Sequence, residues 1–141
     1  MTDAPFVLDP RLAADTHPIG ELPLSRVLLT DDVRFPWLVL VPRLPGVREL
    51  TELARDEQHV LLDEINRVAH VLHAIAQPDK LNIAALGNVV PQLHVHVIAR
   101  FAGDAAWPRP VWGVGERVAY GQDEVDKLRG TLLAALGPVH E

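Results

Sequence analysis

The spacing of apolar residues predicts two helices. Between residues 50 and 76 apolar residues recur mostly every third or fourth position, the period of a helix with one buried face. These residues are Leu53, Val60, Leu61, Ile65, Val68, Leu72 and Ile75. We expect Asp56 to cap the start of this helix and Gln77-Pro78-Asp79 to end it. A similar pattern from Val125 to Leu136 predicts a C-terminal helix closed by Gly137-Pro138.

Runs of apolar and β-branched residues predict strands at 25–30, 37–41, 81–86 and 92–100. Turn residues lie at 31–36 and at Gly87-Asn88, so neighbouring strands are expected to run antiparallel. For the first 24 residues we expect a short helix near 10–14 and then an irregular connection. Residues 101–113 are rich in Gly, Ala and Pro, which predicts a loop. This order of elements is typical of an α+β domain.

Composition narrows the class of protein. The 141 residues suit one domain spanning 1–141, with 48% hydrophobic and 23% charged residues. The absence of cysteine excludes disulfides, thiolate metal sites and a cysteine nucleophile. No apolar stretch approaches the roughly 20 residues of a membrane span, so we expect a cytoplasmic protein without a membrane partner. The net charge of −6 argues against polymeric nucleic acid but leaves a small phosphorylated ligand open.

The last predicted strand carries the candidate chemistry. Because side chains alternate along a strand, Gln92, His94 and His96 should share one face, opposite Leu93 and Val95. Imidazole serves as acid or base, metal ligand or nucleophile, and this spacing alone does not choose among them. A metal is less favoured, because a third ligand is not evident nearby and catalytic zinc usually takes three. Two ordinary hydrogen-bonded strand histidines are the remaining interpretation.

The segment 92–98 resembles the signature of the histidine triad family, in which three histidines alternate with apolar residues. Gln92 stands where the family usually has its first histidine. The strand pair ending at Arg43, the long helix, Leu81-Asn82 and Gly87-Asn88 follow in the family's order, so the likeness covers about residues 25–100. It implies a fold with an antiparallel sheet of about five strands, one long helix and a C-terminal helix. It also implies a homodimer.

The resemblance implies a nucleotide hydrolase or nucleotidyl transferase that acts at an α-phosphate. His94 would be the nucleophile that forms a nucleotidyl-histidine intermediate, and His96 would donate a hydrogen bond to a phosphate oxygen. Asn82 and Asn88 would line the phosphate pocket. The substrate would be a dinucleoside polyphosphate, a nucleotide sugar or a phosphoramidate, with no cofactor or metal.

Two departures from the family pattern keep alternatives open. Gln92 cannot titrate, which leaves protonation of the leaving group without an obvious source and suggests a catalytically weak nucleotide-binding or regulatory protein. A metal-dependent hydrolase with His94 and His96 as ligands is the further alternative. The family commonly has a histidine soon after Pro42, whereas this chain has Arg43-Leu44-Pro45-Gly46-Val47, to which we assign no role.

Other polar and aromatic residues allow two interpretations each. Trp107 and Trp112 either stack on a base or, as we favour, hold their loop on the core. Arg100 either approaches a phosphate or ends its strand in solvent. His70 and His73 lie one turn apart on the long helix, where solvated side chains are a better interpretation than metal ligands.

Overall fold

An antiparallel five-stranded sheet lies at the centre of the computed structural model, which describes residues 4–137. The strand order is β1-β2-β3-β5-β4, and every neighbouring pair is antiparallel. The strands are β1 (Thr16–Glu21), β2 (Ser25–Thr30), β3 (Trp37–Pro42), β4 (Lys80–Ala84) and β5 (Val95–Arg100). This architecture, with its helices, confirms the predicted α+β fold.

Three helices accompany the sheet. They are α1 (Pro10–Asp15), α2 (Arg55–Ala76) and α3 (Gln122–Leu136). The expected cap at Asp56 is wrong: Leu50–Glu52 forms a separate 3-10 turn, and Ala54 is the N-cap of α2. The end of α2 is as predicted, with Gln77 in the left-handed region at φ 50°. Pro138 lies outside the described residues, and no helix within residues 4–137 is long and apolar enough to cross a bilayer.

Strand β1 occupies residues for which an irregular connection was expected. It pairs with β2 from Thr16 opposite Thr30 to Glu21 opposite Arg26, with a register irregularity between Pro18 and Gly20. Proline cannot donate to a ladder, and glycine weakens a strand, so these two residues hid the strand in the sequence. An edge strand tolerates both, because one of its sides makes no ladder.

The strands nearest the candidate site are shorter than predicted. β4 ends at Ala84, opposite His96, and pairing of β3 with β5 begins at Val95, opposite Leu40. The backbone N–H of Leu93 donates instead to the carbonyl of Val47. β3 continues to Pro42, but its last two residues pair only with β2, so residues 92–94 lie outside the ladder. The expectation of one row of side chains along a single strand was therefore wrong.

The two faces of the sheet are covered differently. One face packs under α2 and α3, where Val97 and Ala99 of β5 join the larger apolar core. The other face, which carries Trp37, Val39 and Ile98, is covered by α1 and by the segment that follows β5. His96 lies opposite Val39 in the register and so belongs to this second face. The candidate site therefore lies on the face without long helices.

A buried ion pair fixes the segment that follows β5. The side chain of Arg100 is 2% exposed, and its Nε lies 2.7 Å from a carboxylate oxygen of Asp104. Asp104 also accepts from the backbone N–H groups of Phe101, Ala106 and Trp107. The Arg100 hydrogen bond is the main reason that the pKa of Asp104 lies well below its usual value. Both interpretations of Arg100, phosphate contact and solvent exposure, were wrong.

Candidate active site

A cavity of about 480 Å³ lies beside both histidines on the second face of the sheet. Its walls come from α1 and the start of β1, from β2 and β3, from the turn at 86–90, and from Trp112. The lining is mostly apolar, and the volume falls in the range of about 300–1,000 Å³ typical of small-molecule sites. We refer to this space as the main cavity.

His94 reaches the main cavity with one ring nitrogen already occupied. Its Nδ1 lies 2.6 Å from the carbonyl oxygen of Gln92. A carbonyl oxygen only accepts, so Nδ1 carries the proton and Nε2 holds the lone pair. Nε2 makes no hydrogen bond with any of residues 4–137. The buried ring of His94 therefore offers a free lone pair to a ligand.

His96 has the opposite tautomer. The Trp37 indole N–H donates to Nδ1 of His96 at 3.0 Å, so the proton of the neutral ring lies on Nε2. Burial, and to a smaller extent the electrostatic effect of the neighbouring His94 ring, lowers the pKa of His96 from 6.5 to about 4. The ring is neutral near pH 7 and is a hydrogen-bond donor through Nε2. The ring centroids of His94 and His96 are 4.9 Å apart, and both residues line the main cavity.

Gln92 contributes its backbone, and not its side chain, to the histidine pair. Its side-chain Oε1 accepts from the N–H of Asp9, and its Nε2 donates to the carbonyl of Val7, both at 2.9 Å. Arg11 adds a second link by donating to the carbonyl of Val89 at 2.9 Å. These bonds hold the segment before α1 against the turn that precedes β5. The side chain of Gln92 is thus a tether for the N-terminal segment.

The two asparagines predicted to line a phosphate pocket lie in different places. Asn88 is exposed and lines the main cavity together with both histidines. Asn82 is not among the lining residues, and its Oδ1 accepts from Nη1 of Arg100 at 2.8 Å. The structure thus groups His94, His96 and Asn88, and it holds Asn82 in the network of the buried ion pair. The phosphate-binding roles of both asparagines stay predictions.

Sequence reasoning missed Trp37 as a site residue. Only the register identifies it, because Trp37 lies two residues before the partner of His96 and so shares its face. Trp112 packs edge-on against His96 and Trp37, with ring centroids 5.0 and 5.8 Å away. It packs on the core, as the favoured interpretation has it, and it also lines the cavity. Stacking of Trp112 on a base stays a prediction. Trp107 packs over the guanidinium of Arg100, which agrees with the packing interpretation.

A second, smaller cavity borders His94. It has a volume of about 180 Å³ and is lined by residues 48–51, residues 85–87 and residues 92–94. The exposed guanidinium of Arg48 makes no hydrogen bond or ion pair within the described part of the chain. The carboxyl group of Glu49 and the hydroxyl of Thr51 also line this space. We refer to it as the Arg48 cavity.

The donor set falls short of a metal site. Among residues 4–137 no group of three or more His, Asp or Glu side chains is placed to hold a metal ion. Catalytic zinc usually takes three protein ligands, whereas of these two rings only His94 has a free lone pair, because Nε2 of His96 carries the proton. His70 and His73 are exposed on α2. The arrangement is better suited to nucleophilic and hydrogen-bonding chemistry.

Comparisons with known proteins agree with this geometry. The HIT domain model matches residues 11–103. A histidine triad protein from Bradyrhizobium japonicum is 51% identical, with a TM-score of 0.92 over 95% of this chain and 100% of that chain. One from Marinobacter aquaeolei VT8 is 45% identical (TM-score 0.91, 94% and 97% covered), as is one from Sinorhizobium meliloti 1021 (0.88, 90% and 94%). A search of curated proteins gave no match. On this evidence the chain belongs to the histidine triad (HIT) family.

Proposed function

We propose that the protein is a nucleotide hydrolase or nucleotidyl transferase that acts at an α-phosphate through a nucleotidyl-histidine intermediate on His94. The proposal rests on the opposite tautomers of the two neighbouring rings, which leave a lone pair on Nε2 of His94 and an N–H on Nε2 of His96. Attack on phosphorus needs an unprotonated nucleophile and a donor for the phosphoryl oxygens. The substrate is a dinucleoside polyphosphate, a nucleotide sugar or a phosphoramidate.

In the first step Nε2 of His94 attacks the α-phosphorus, and the bond to the leaving group breaks with its electron pair. The His94 ring becomes positively charged, and the Gln92 carbonyl stabilises that charge through Nδ1–H. His96 donates from Nε2 to an equatorial phosphoryl oxygen, with Asn88 as a second donor. Donors fixed in a buried site stabilise developing charge more strongly than water does.

In the second step water attacks the same phosphorus. The P–N bond breaks, its electron pair returns to Nε2, and the water proton passes to solvent as the nucleoside monophosphate leaves. Another nucleophile in place of water makes the reaction a transfer. The apolar walls of the main cavity and the ring of Trp112 are suited to a nucleoside.

The test is release of nucleoside monophosphate from diadenosine polyphosphates, nucleotide sugars and adenosine phosphoramidate, in the presence of chelator. We expect turnover of at least one compound and a loss of at least ~10³-fold in His94→Asn, because the nucleophile is removed. His70→Asn, an exposed histidine on α2, is the matched control and should retain activity. Equal rates in wild type and His94→Asn would contradict the covalent mechanism.

One observation favours a second candidate, a nucleotide-binding protein without turnover. Both polar ends of the Gln92 side-chain amide are bound to the N-terminal segment, so this side chain is not available to a leaving group. Binding of adenosine monophosphate without turnover of any compound in the panel would favour this candidate. Loss of activity in chelator, restored by zinc or manganese, would instead favour the metal-dependent alternative.

A further inference from the structure

The side chains next to His94 determine whether a leaving group can be protonated. Gln92 has no titratable proton, and both ends of its amide are bound to the backbone of Val7 and Asp9. His96 is neutral, since its pKa lies near 4, and a neutral imidazole N–H donates a hydrogen bond without giving up its proton. Neither residue of the altered triad can therefore protonate a leaving group.

The other polar groups that line the two cavities do not supply the proton either. Asp15 and Glu49 are exposed, and a carboxylate only accepts hydrogen bonds. A guanidinium donates hydrogen bonds without acting as a general acid, and threonine hydroxyls are not general acids either. No described residue that lines the two cavities therefore donates a proton to the leaving group. The leaving group departs unprotonated, with the electron pair of the broken bond.

This condition sorts leaving groups by acidity. A phosphate oxyanion is a stable product without protonation, whereas an amine or an alcohol would depart as a strongly basic anion. Of the proposed substrates, polyphosphates and nucleotide sugars release a phosphate oxyanion. A phosphoramidate releases an amine and requires a proton.

The size and lining of the Arg48 cavity are suited to an anionic leaving group. The cavity borders the nucleophile, and its volume of about 180 Å³ is below the usual range for whole ligands, so it suits a single phosphate-sized group. The guanidinium of Arg48 has no partner within residues 4–137, and a guanidinium binds oxyanions through two parallel hydrogen bonds. Glu49 lines the same cavity and repels an anion. Substitution of Arg48 and of Glu49 should therefore have opposite effects on an anionic leaving group.

We infer that this site cleaves nucleotides whose leaving group departs as an unprotonated oxyanion into the Arg48 cavity, and that it rejects amine and alcohol leaving groups. The inference rests on the proposed attack by His94. In the step itself, the P–O bond to the leaving group breaks and both electrons stay on the departing oxygen. Arg48 then balances the charge of the departing anion.

The first test is a series of adenosine 5′-monophosphate aryl esters, from 4-nitrophenyl to phenyl, together with adenosine phosphoramidate. We expect kcat/KM to fall at least ~100-fold across the aryl series as the phenol becomes less acidic, because no proton assists departure. The phosphoramidate should give no turnover above background. Equal kcat/KM across the series, or preference for the phosphoramidate, would overturn the inference.

The second test compares diadenosine triphosphate, which releases a phosphate oxyanion, with the 4-nitrophenyl ester. In Arg48→Ala the ratio of their kcat/KM values should fall about tenfold, and in Glu49→Gln it should rise. Arg55→Ala removes an exposed arginine that lines neither cavity and should leave the ratio unchanged. An unchanged ratio in Arg48→Ala would overturn the assignment of the cavity.

A different result would contradict the proposed function itself. If no adenosine monophosphate is released from any compound, including the most reactive ester, attack by His94 fails, and the leaving-group inference fails with it. Release from all esters at one rate would instead retain the nucleotidyl transfer and remove only the leaving-group selectivity.

Discussion

Trp37 sets the tautomer of His96 through a single hydrogen bond. Its indole N–H holds Nδ1 as an acceptor, which forces the proton onto Nε2. Without this bond the neutral ring of His96 would exchange between its two tautomers. In the tautomer that is protonated on Nδ1, Nε2 has no N–H to donate. Trp37 is therefore a positioning residue for the proposed reaction.

We expect Trp37→Phe to lower kcat about 10- to 100-fold, the usual effect of removing a group that orients an active residue. KM should change less, because phenylalanine preserves much of the apolar wall. Steady-state kinetics on the best substrate would measure this split. Trp107→Phe, outside the cavity, is the control, and an equal loss of kcat there would contradict the orienting role.

Burial of neutral His96 predicts a pH dependence of stability. Since its pKa is about 4 in the folded protein and 6.5 ordinarily, the unfolded chain binds a proton more readily between these pH values. The contribution of neutral His96 to the free energy of unfolding should be fully present above pH 6.5. The free energy of unfolding should then fall by about 3 kcal/mol as the pH drops to 4. The lowered pKa values of Asp31, Asp32 and Asp104 act at lower pH, where these carboxyl groups protonate in the unfolded chain.

Denaturant unfolding at pH 7, 5.5 and 4.5 would measure this loss. His96→Asn should flatten the dependence in this interval, whereas His59→Asn, which removes an exposed histidine, should leave it intact. If wild type and His96→Asn lose stability in parallel, another group is responsible.

At the scale of elements, the sequence predicted helices better than strand ends. The repeat from Leu53 to Ile75 marks one buried face of α2, so its existence follows from period alone. The bounds of β5 depend on where its pairing with β3 and β4 stops, which no local pattern reports. β1 was missed because its proline and glycine are acceptable only at an edge.

The candidate site shows the same division. The motif identified His94 and His96, but the function of the Gln92 side chain depends on residues more than 80 positions away. Trp37 is placed at the site by the register of β3 with β5. Arg48 is placed beside His94 by the packing of the loop at 48–51. Local sequence predicts which side chains are reactive, whereas tertiary contacts decide which atoms of those side chains are free.

The tether of the N-terminal segment predicts a mutational effect on binding. Gln92→Ala removes two hydrogen bonds and should cost about 1–3 kcal/mol of unfolding free energy. KM should rise more than kcat falls, because the cavity wall that contains Leu12, Asp15 and Thr16 loses its anchor. Chemical denaturation and steady-state kinetics would measure both effects.

Gln58→Ala removes one glutamine hydrogen bond, to the Leu53 carbonyl, away from the main cavity. It should lower stability modestly and leave KM unchanged. A Gln92→Ala enzyme with normal KM and reduced kcat would show that the tether does not shape the cavity.

At the scale of the whole molecule, we propose a homodimer formed through α2 and β4. β4 is an edge strand, and an unpaired edge favours pairing with another chain. Ile83 of β4 and Leu62 of α2 are 48% and 55% exposed, unusual for large apolar side chains on regular elements. A second copy of this chain would cover both, since homodimer interfaces are more apolar than other surfaces.

We expect sedimentation to give a dimer for wild type and a shift towards monomer for Ile83→Lys. Val118→Lys places the same charge at an exposed valine outside α2 and β4 and should leave the mass unchanged. A monomeric wild type at micromolar concentration would contradict the proposal.

The walls of the main cavity come largely from outside the central strands. α1, the turn at 86–90 and the segment around Trp112 enclose a space whose two histidines lie at the start of β5. Two of these walls are joined by Gln92 and Arg11 through three hydrogen bonds, while the strand itself is buried on both faces. The enclosing segments are therefore separable from the reactive pair. Exchanging these enclosing segments between related proteins should transfer the ligand preference of one protein to the other. The reaction carried out by the two histidines should stay the same.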